Sequence, residues 1–341
     1  MQKHRLAPWL MPALLPAVLL LCVCAGSVSV PPGQTLDLLW RGLWGLPLPE
    51  GSAAAIVLRV RLPRVLCVAL TGASLSLCGA AMQGLLRNPL ADGSTLGVSS
   101  GASLGAVLAM AFGLSVPGLP YAGTMGMAMV FAFLSLALIL TLAFGLDRSL
   151  ATHSIILIGV IFSMFATALT SLVISFAGEK VKSITFWTMG SLSGVNYTQA
   201  GVLAGFLAVC GGVIFRCREE LNAFAMGEEN AWHIGVNVRR VKLVLLMTVS
   251  VLIGACVSVG GSIGFVGLVT PHMARMVVGP NHRRLLPASL CAGAVFLMLA
   301  DLLARTIVRP VELPIGVVTS LVGAVVFVVI FLGTRKGGAP C

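Results

Sequence analysis

Side chains able to do chemistry are few in this chain, and they are scattered. Nucleotide hydrolysis requires a glycine-rich loop ending in Gly-Lys-Ser/Thr, whose amides and lysine hold the phosphates. The lysines are Lys3, Lys180, Lys182, Lys242 and Lys336, and none follows a glycine. His4, His153, His233, His272 and His282 show no metal-ligand spacing. The 9 cysteines contain no CxxC pair, and most lie in apolar runs, where they read as small hydrophobes. Ion-coupled transport requires ionisable groups within the membrane. Of the 11 acidic residues, Asp301 is the candidate, and it stands close to the outer end of its span. Arg305 stands one helical turn further on, so the two read as a structural ion pair. No catalytic cluster, metal site or cofactor is expected.

Two other groups of residues are suited to holding partners. In the segment 216–242, Leu221, Phe224, Ala225, Met226, Trp232 and Ile234 interleave with Arg218, Glu219, Glu220, Glu228, Glu229, Arg239 and Arg240. Gly227 and Gly235 act as stops, so two short amphipathic helices are expected. Exposed apolar residues on such a loop suit a docking platform for a cytoplasmic protein better than a solvated loop. The second group is Arg59, Arg61, Arg64, Arg305 and Arg309, which flank the outer mouths of two apolar runs. Internal carboxylates, anionic lipid or a partner's acidic residues must offset them.

A membrane must position these groups. The chain has 341 residues, is 58% hydrophobic and 10% charged, and its mean hydropathy is +1.03. Soluble chains carry about 25% charged residues. A spanning helix takes roughly 20 apolar residues. Uncharged runs cover 6–36, 65–86, 93–146, 149–178, 183–215, 243–274, 285–300 and 313–334. Pro117, Pro120 and the glycines between Gly113 and Gly123 divide the third run. Gly260, Gly261 and Pro271 divide the sixth. The run 183–215 starts polar, so only its part after about Ala200 spans. The first run exceeds the apolar core of a signal peptide, so it reads as a retained helix. The fold class is therefore all-α, one polytopic domain over 1–341 with about ten transmembrane helices. With both termini cytoplasmic, thirteen Lys and Arg fall inside and eight outside, in keeping with the positive-inside bias. The net charge of +11 sits in helix flanks, so nucleic acid is not an expected partner.

The sequence also echoes itself. Gly72, Ala73, Ser76, Gly79, Leu86 and Pro89 recur 182 residues later as Gly254, Ala255, Ser258, Gly261, Leu268 and Pro271. The two helices run in opposite directions, so the echo suggests an inverted repeat. Gly97, Gly101 and Gly105 share one helix face, which lets backbones approach closely or lines a path for a bulky solute.

Longer motifs carry a resemblance. They are Arg61-Leu-Pro-Arg64, Gly79 to Gln83, Asn88-Pro-Leu-Ala-Asp92, Leu96 to Gly101, Trp187 to Leu192, Gly264 to His272, Ala300-Asp-Leu-Leu-Ala-Arg305 and Glu312 to Gly316. Together they resemble the permease family of iron-siderophore, haem and vitamin B12 ABC importers. The resemblance implies a homodimer with the path between subunits, two cytoplasmic ATP-binding cassette subunits and a periplasmic substrate-binding protein. It implies that the loop carrying Leu221, Phe224, Ala225, Met226, Gly227, Glu228, Ile234 and Gly235 meets the ATPase. It assigns Arg61, Arg64 and Arg305 to glutamates of the binding protein, and Thr152 and His153 to an inner gate. Gly93 and Val325 stand where the family usually has proline. The expected function is the channel-forming subunit of an ATP-driven metal-chelate importer in the inner membrane. It is not itself an enzyme. A proton-coupled secondary transporter is the alternative.

Overall fold

The computed structural model describes residues 7–49, 51–93, 95–118, 121–146 and 152–336. Lys3, His4, Arg5, Pro120 and Arg148 lie outside the described residues. The helices are α1 (Ala7–Cys24), α2 (Pro32–Trp44), α3 (Ser52–Leu86), α4 (Val98–Phe112), α5 (Ala122–Leu146), α6 (Thr152–Ser175), α7 (Val181–Thr188), α8 (Tyr197–Arg216), α9 (Arg218–Phe224), α10 (Glu228–His233), α11 (Val238–Gly260), α12 (Val266–Val278), α13 (His282–Thr306) and α14 (Ile315–Lys336). Six are long and apolar enough to cross a membrane: α3, α5, α6, α8, α11 and α13. Four shorter apolar helices, α1, α4, α12 and α14, complete the ten expected crossings.

The glycine-proline breaks fall largely where the sequence puts them. α4 ends at Phe112 with Gly113 left-handed, and α5 resumes at Ala122. α11 ends at Gly260, with Gly261 at φ 68°. Two expectations need correction. The apolar run 6–36 is not one helix, because α1 stops at Cys24 and Pro32 starts α2 as its first residue. Pro271 does not break the chain either, since it lies inside α12. Proline has no N–H, so the carbonyl four residues earlier loses its helical partner. Here that carbonyl belongs to Gly267, and the Gln83 amide donates to it at 3.3 Å and to Leu268 at 3.1 Å. Arg275 in turn donates to Gln83 Oε1 at 3.1 Å.

The two halves are built alike. α3 packs along α13 as α11 packs along α5; α4 lies on α5 and α6 as α12 lies on α13 and α14. Gly97 before α4 and Phe265 before α12 are both left-handed. Gly72 and Gly254, one of the echoed pairs, each sit at the equivalent crossing, against Gly293 and Ala132 respectively. α3 is the second crossing and α11 the seventh, so the halves are inverted. α3 and α11 form the interior, with 78% and 72% of their apolar windows buried, whereas α5 and α6 reach only 33% and 22%.

Glycine lets the interior helices touch backbone to backbone. A Cβ on Gly79 would collide with the Gly267 carbonyl, and one on Gly101 with Ser135. Gly101 and Gly105 face α5, which is the close-packing role rather than a path lining. Hydroxyls add a buried relay across three helices: Thr270 donates to Ser76 at 2.7 Å, and Ser76 to the Ser289 carbonyl at 2.6 Å. Overpacking a tight core costs about 1–3 kcal/mol or more. Gly79→Val should therefore lower the detergent melting temperature by several degrees, while Gly145→Val, in open space on α5, should leave it unchanged; thermal unfolding of the two purified variants checks this.

Candidate functional site

The arginine group lies at one end of the bundle. Its helical phase is set by a π-helical stretch, Ala55–Arg61, that opens α3. This wider turn leaves Arg59 exposed and turns Arg61 inward. Arg61, Arg64 and Arg305 are only 4%, 8% and 2% exposed. Asp301, also buried, joins two of them: Arg64 Nη2 meets one oxygen at 2.9 Å and Arg305 Nε approaches the other at 2.8 Å. Arg64 Nη1 also pairs with Glu312 at 2.7 Å. The expected Asp301–Arg305 pair is present; the bond to Glu312 has no spacing signature in the sequence.

The remaining donors close the end of α1. Arg61 donates to the carbonyls of Val23 (3.1 Å), Cys24 (3.0 Å) and Val28. Arg305 donates to those of Ala25 (3.3 Å) and Cys22 (3.2 Å). A helix end leaves four carbonyls unpaired and partly negative, so cations are favoured there. Gly26 admits the Arg61 guanidinium, which would lie 2.8 Å from a Cβ at that position. These arginines are therefore not free guanidiniums projecting from the surface. Burial without a partner would cost too much, so carboxylates and carbonyls of the chain itself satisfy them.

The loop between α8 and α11 lies at the opposite end. It forms the two expected short helices, with Gly227 at φ 111° and Gly235 at φ 90° as their stops. Leu221 and Phe224 are fully buried anchors that join the core containing Leu85, Leu86 and Leu286. Arg283 pairs with Glu219 at 2.6 Å and holds its carboxyl below the usual range. Asn222 accepts from the His282 amide at 2.9 Å. The loop is thus fixed to α3 and α13. Its other face is bare: Met226, Trp232 and Ile234 are 58%, 67% and 62% exposed, and Ala225 and Gly235 lie beside them.

Glu228 joins this platform to two helices. Its Oε1 accepts from Thr152, the first residue of α6, at 3.1 Å. Its Oε2 meets the ammonium of Lys242 on α11 at 2.7 Å. Lys242 is fully buried, and a buried ammonium requires such a carboxylate. Thr152 is thereby brought to the loop, while His153 beside it is exposed. Sequence reasoning singled out Glu228 and Thr152 separately but not Lys242; a lysine four residues into an apolar helix was the available signal. Among the described residues, no group of three His, Cys, Asp or Glu is placed to hold a metal.

Comparison with known proteins places this geometry. Residues 14–333 match the FecCD transport family. The chain belongs to the FecCD transport family. It is 38% identical to the hemin transport system permease protein HmuU of Yersinia pestis, over 97% of this chain and 98% of that one. It is 35% identical to the vitamin B12 import system permease protein BtuC of Klebsiella pneumoniae, over 99% and 97%. A solved structure of an inward-facing transporter described as metal-chelate type superposes with a TM-score of 0.83 and 31% identity, covering 96% of this chain and 98% of that one. This FecCD chain is thus a multi-pass membrane permease. Breaking a buried ion pair costs about 3–5 kcal/mol. Asp301→Asn should therefore lower the melting temperature of the purified permease markedly. Glu312→Gln, whose carboxylate is 31% exposed, should lower it much less. Thermal unfolding of both variants measures the difference.

Proposed function

We propose that this chain forms half of the channel of an ATP-driven importer, which moves a metal chelate such as a ferric siderophore, haem or cobalamin from periplasm to cytoplasm. Both termini and the α9–α10 platform face the cytoplasm across the inner membrane. Two ATP-binding cassette subunits hydrolyse the nucleotide and bind the platform. A second copy of the chain covers part of the apolar surface left on α6 and α14, and lipid covers the rest. The observation that carries the reading is the Glu228 joint. One carboxylate ties an exposed apolar docking face to the first residue of α6. Force applied to Met226, Trp232 and Ile234 thereby reaches Thr152 and His153, the proposed gate.

The opposite end receives the periplasmic binding protein. Arg61 and Arg305 shape this surface from within by holding the end of α1. Arg64 is the cation nearest exchange, because its Glu312 partner is partly exposed. A carboxylate of the binding protein replaces Glu312 there. A proton-coupled carrier is less well supported, since both oxygens of Asp301 are engaged by arginines in a structural ion pair.

Energy coupling can be read in membrane vesicles holding the assembled transporter. Uptake should require ATP and survive an uncoupler; uptake that persists without ATP and collapses with the uncoupler would sink the importer reading. A charge-assisted hydrogen bond contributes about 1.5–3 kcal/mol. Glu228→Gln and Thr152→Val should accordingly lower substrate moved per ATP hydrolysed by about tenfold, while the ATPase still copurifies. An unchanged ratio in both variants would make the joint a plain structural contact.

A further inference from the structure

α2 has a composition that neither transport nor docking uses. It has 13 residues, about 20 Å at 1.5 Å per residue, too short for a core of about 30 Å. It connects two apolar helices, α1 and α3, so it lies along the membrane boundary at that end of the bundle. Thr35 and Leu38 are buried against the protein. Leu36, Trp40, Leu43 and Trp44, at helical spacing, are exposed. Asp37 and Arg41 pair at 2.8 Å along the remaining edge. One inward face, one exposed apolar stripe and one charged edge are what a helix at the lipid–water boundary carries. Tryptophans concentrate at that level, and the Trp40 and Trp44 rings lie 5.6 Å apart.

Beside this stripe runs a groove of about 520 Å³, walled by Leu39, Gly42 and Leu43 of α2 and by Leu58, Arg59 and Leu62 of α3, with Tyr197 at its end. Gly42 keeps it open, since a Cβ there would press on the Leu58 methyls at 3.1 Å. The Tyr197 hydroxyl is already engaged by the Leu58 carbonyl. The remaining polar group is Arg59, which is exposed and forms no ion pair among the described residues. Among the described residues, the acids at this end of the bundle are engaged elsewhere: Asp37 with Arg41, and Asp301 and Glu312 with Arg64.

We propose that this groove binds an anionic glycerophospholipid from the adjoining leaflet. The phosphate sits on the Arg59 guanidinium, an acyl chain lies along Leu39, Leu43, Leu58 and Leu62, and Trp40 and Trp44 flank it at headgroup depth. Charge complementarity and continuity with the membrane-facing surface favour lipid over a protein occupant. The site rests only on the membrane-spanning fold and is independent of the docking assignments.

The test reconstitutes the full chain in nanodiscs containing brominated phosphatidylglycerol or, at equal mole fraction, brominated phosphatidylcholine. Bromine quenches nearby tryptophan fluorescence, and a Trp40→Phe/Trp44→Phe variant identifies the signal of this pair against the other tryptophans. Phosphatidylglycerol should quench the pair at least twofold more strongly, and Arg59→Gln should bring the ratio to one without changing the melting temperature. Gly42→Leu, which fills the groove, should do the same. Equal quenching by both lipids in the unaltered chain overturns the proposal. So does a preference that survives Arg59→Gln, and an Arg59→Gln variant that keeps the preference but loses binding-protein association assigns the arginine to a protein contact instead.

Discussion

One buried carboxylate holds the arginine-rich end of this permease together. Asp301 lies on α13, pairs with Arg305 on its own helix and with Arg64 on α3, and thereby fixes two guanidiniums near the end of α1. Those guanidiniums, with Arg61, decide what α1 does. Five carbonyls between Cys22 and Val28 are taken by Arg61 and Arg305, so the chain turns there and α2 begins beyond it. Such pairs add little net stability against apolar replacements, because desolvating them is costly. They specify geometry: three helices meet at this end in one arrangement because each charge has one set of partners.

The other end uses the same device with opposite sign. A buried ammonium, Lys242, draws Glu228 of the platform toward α11, and the second oxygen of that carboxylate reaches Thr152 on α6. Between the ends, the bundle has few charges and many glycines. Backbone contacts such as Gly79 on Gly267 fix helix spacing, and short hydroxyl relays fix register. Charged groups thus mark the ends, and small residues fill the middle.

Much of this was legible in the sequence. Hydropathy and uncharged length gave the ten crossings, because a lipid core imposes a minimum apolar length on every helix. Gly227 and Gly235 gave the two short loop helices, because only glycine takes those φ values at no steric cost. The direction of the arginines was not legible. For Arg59 and Arg61 it depends on the π-helical turn at Ala55–Arg61, which shifts the helical phase without a sequence signature. Their partners are mostly backbone carbonyls, which every residue carries and no motif marks. The Glu228–Thr152 bond was hidden for a related reason: it links residues 76 positions apart. Pro271 misled because its cost is met at a distance, by Gln83 on another helix.

The glycine crossings carry a mechanical consequence. Where Gly79 meets the Gly267 carbonyl, no side chain stands between α3 and α12. Side chains that interdigitate resist rotation, because each must leave its groove. A bare backbone contact resists only separation. The crossing angle is then set by the few hydrogen bonds beside the contact, Thr270 to Ser76 and Gln83 to Leu268. Such a contact is a spacer: it sets how near α3 and α12 lie, and leaves the angle between them to a handful of polar atoms.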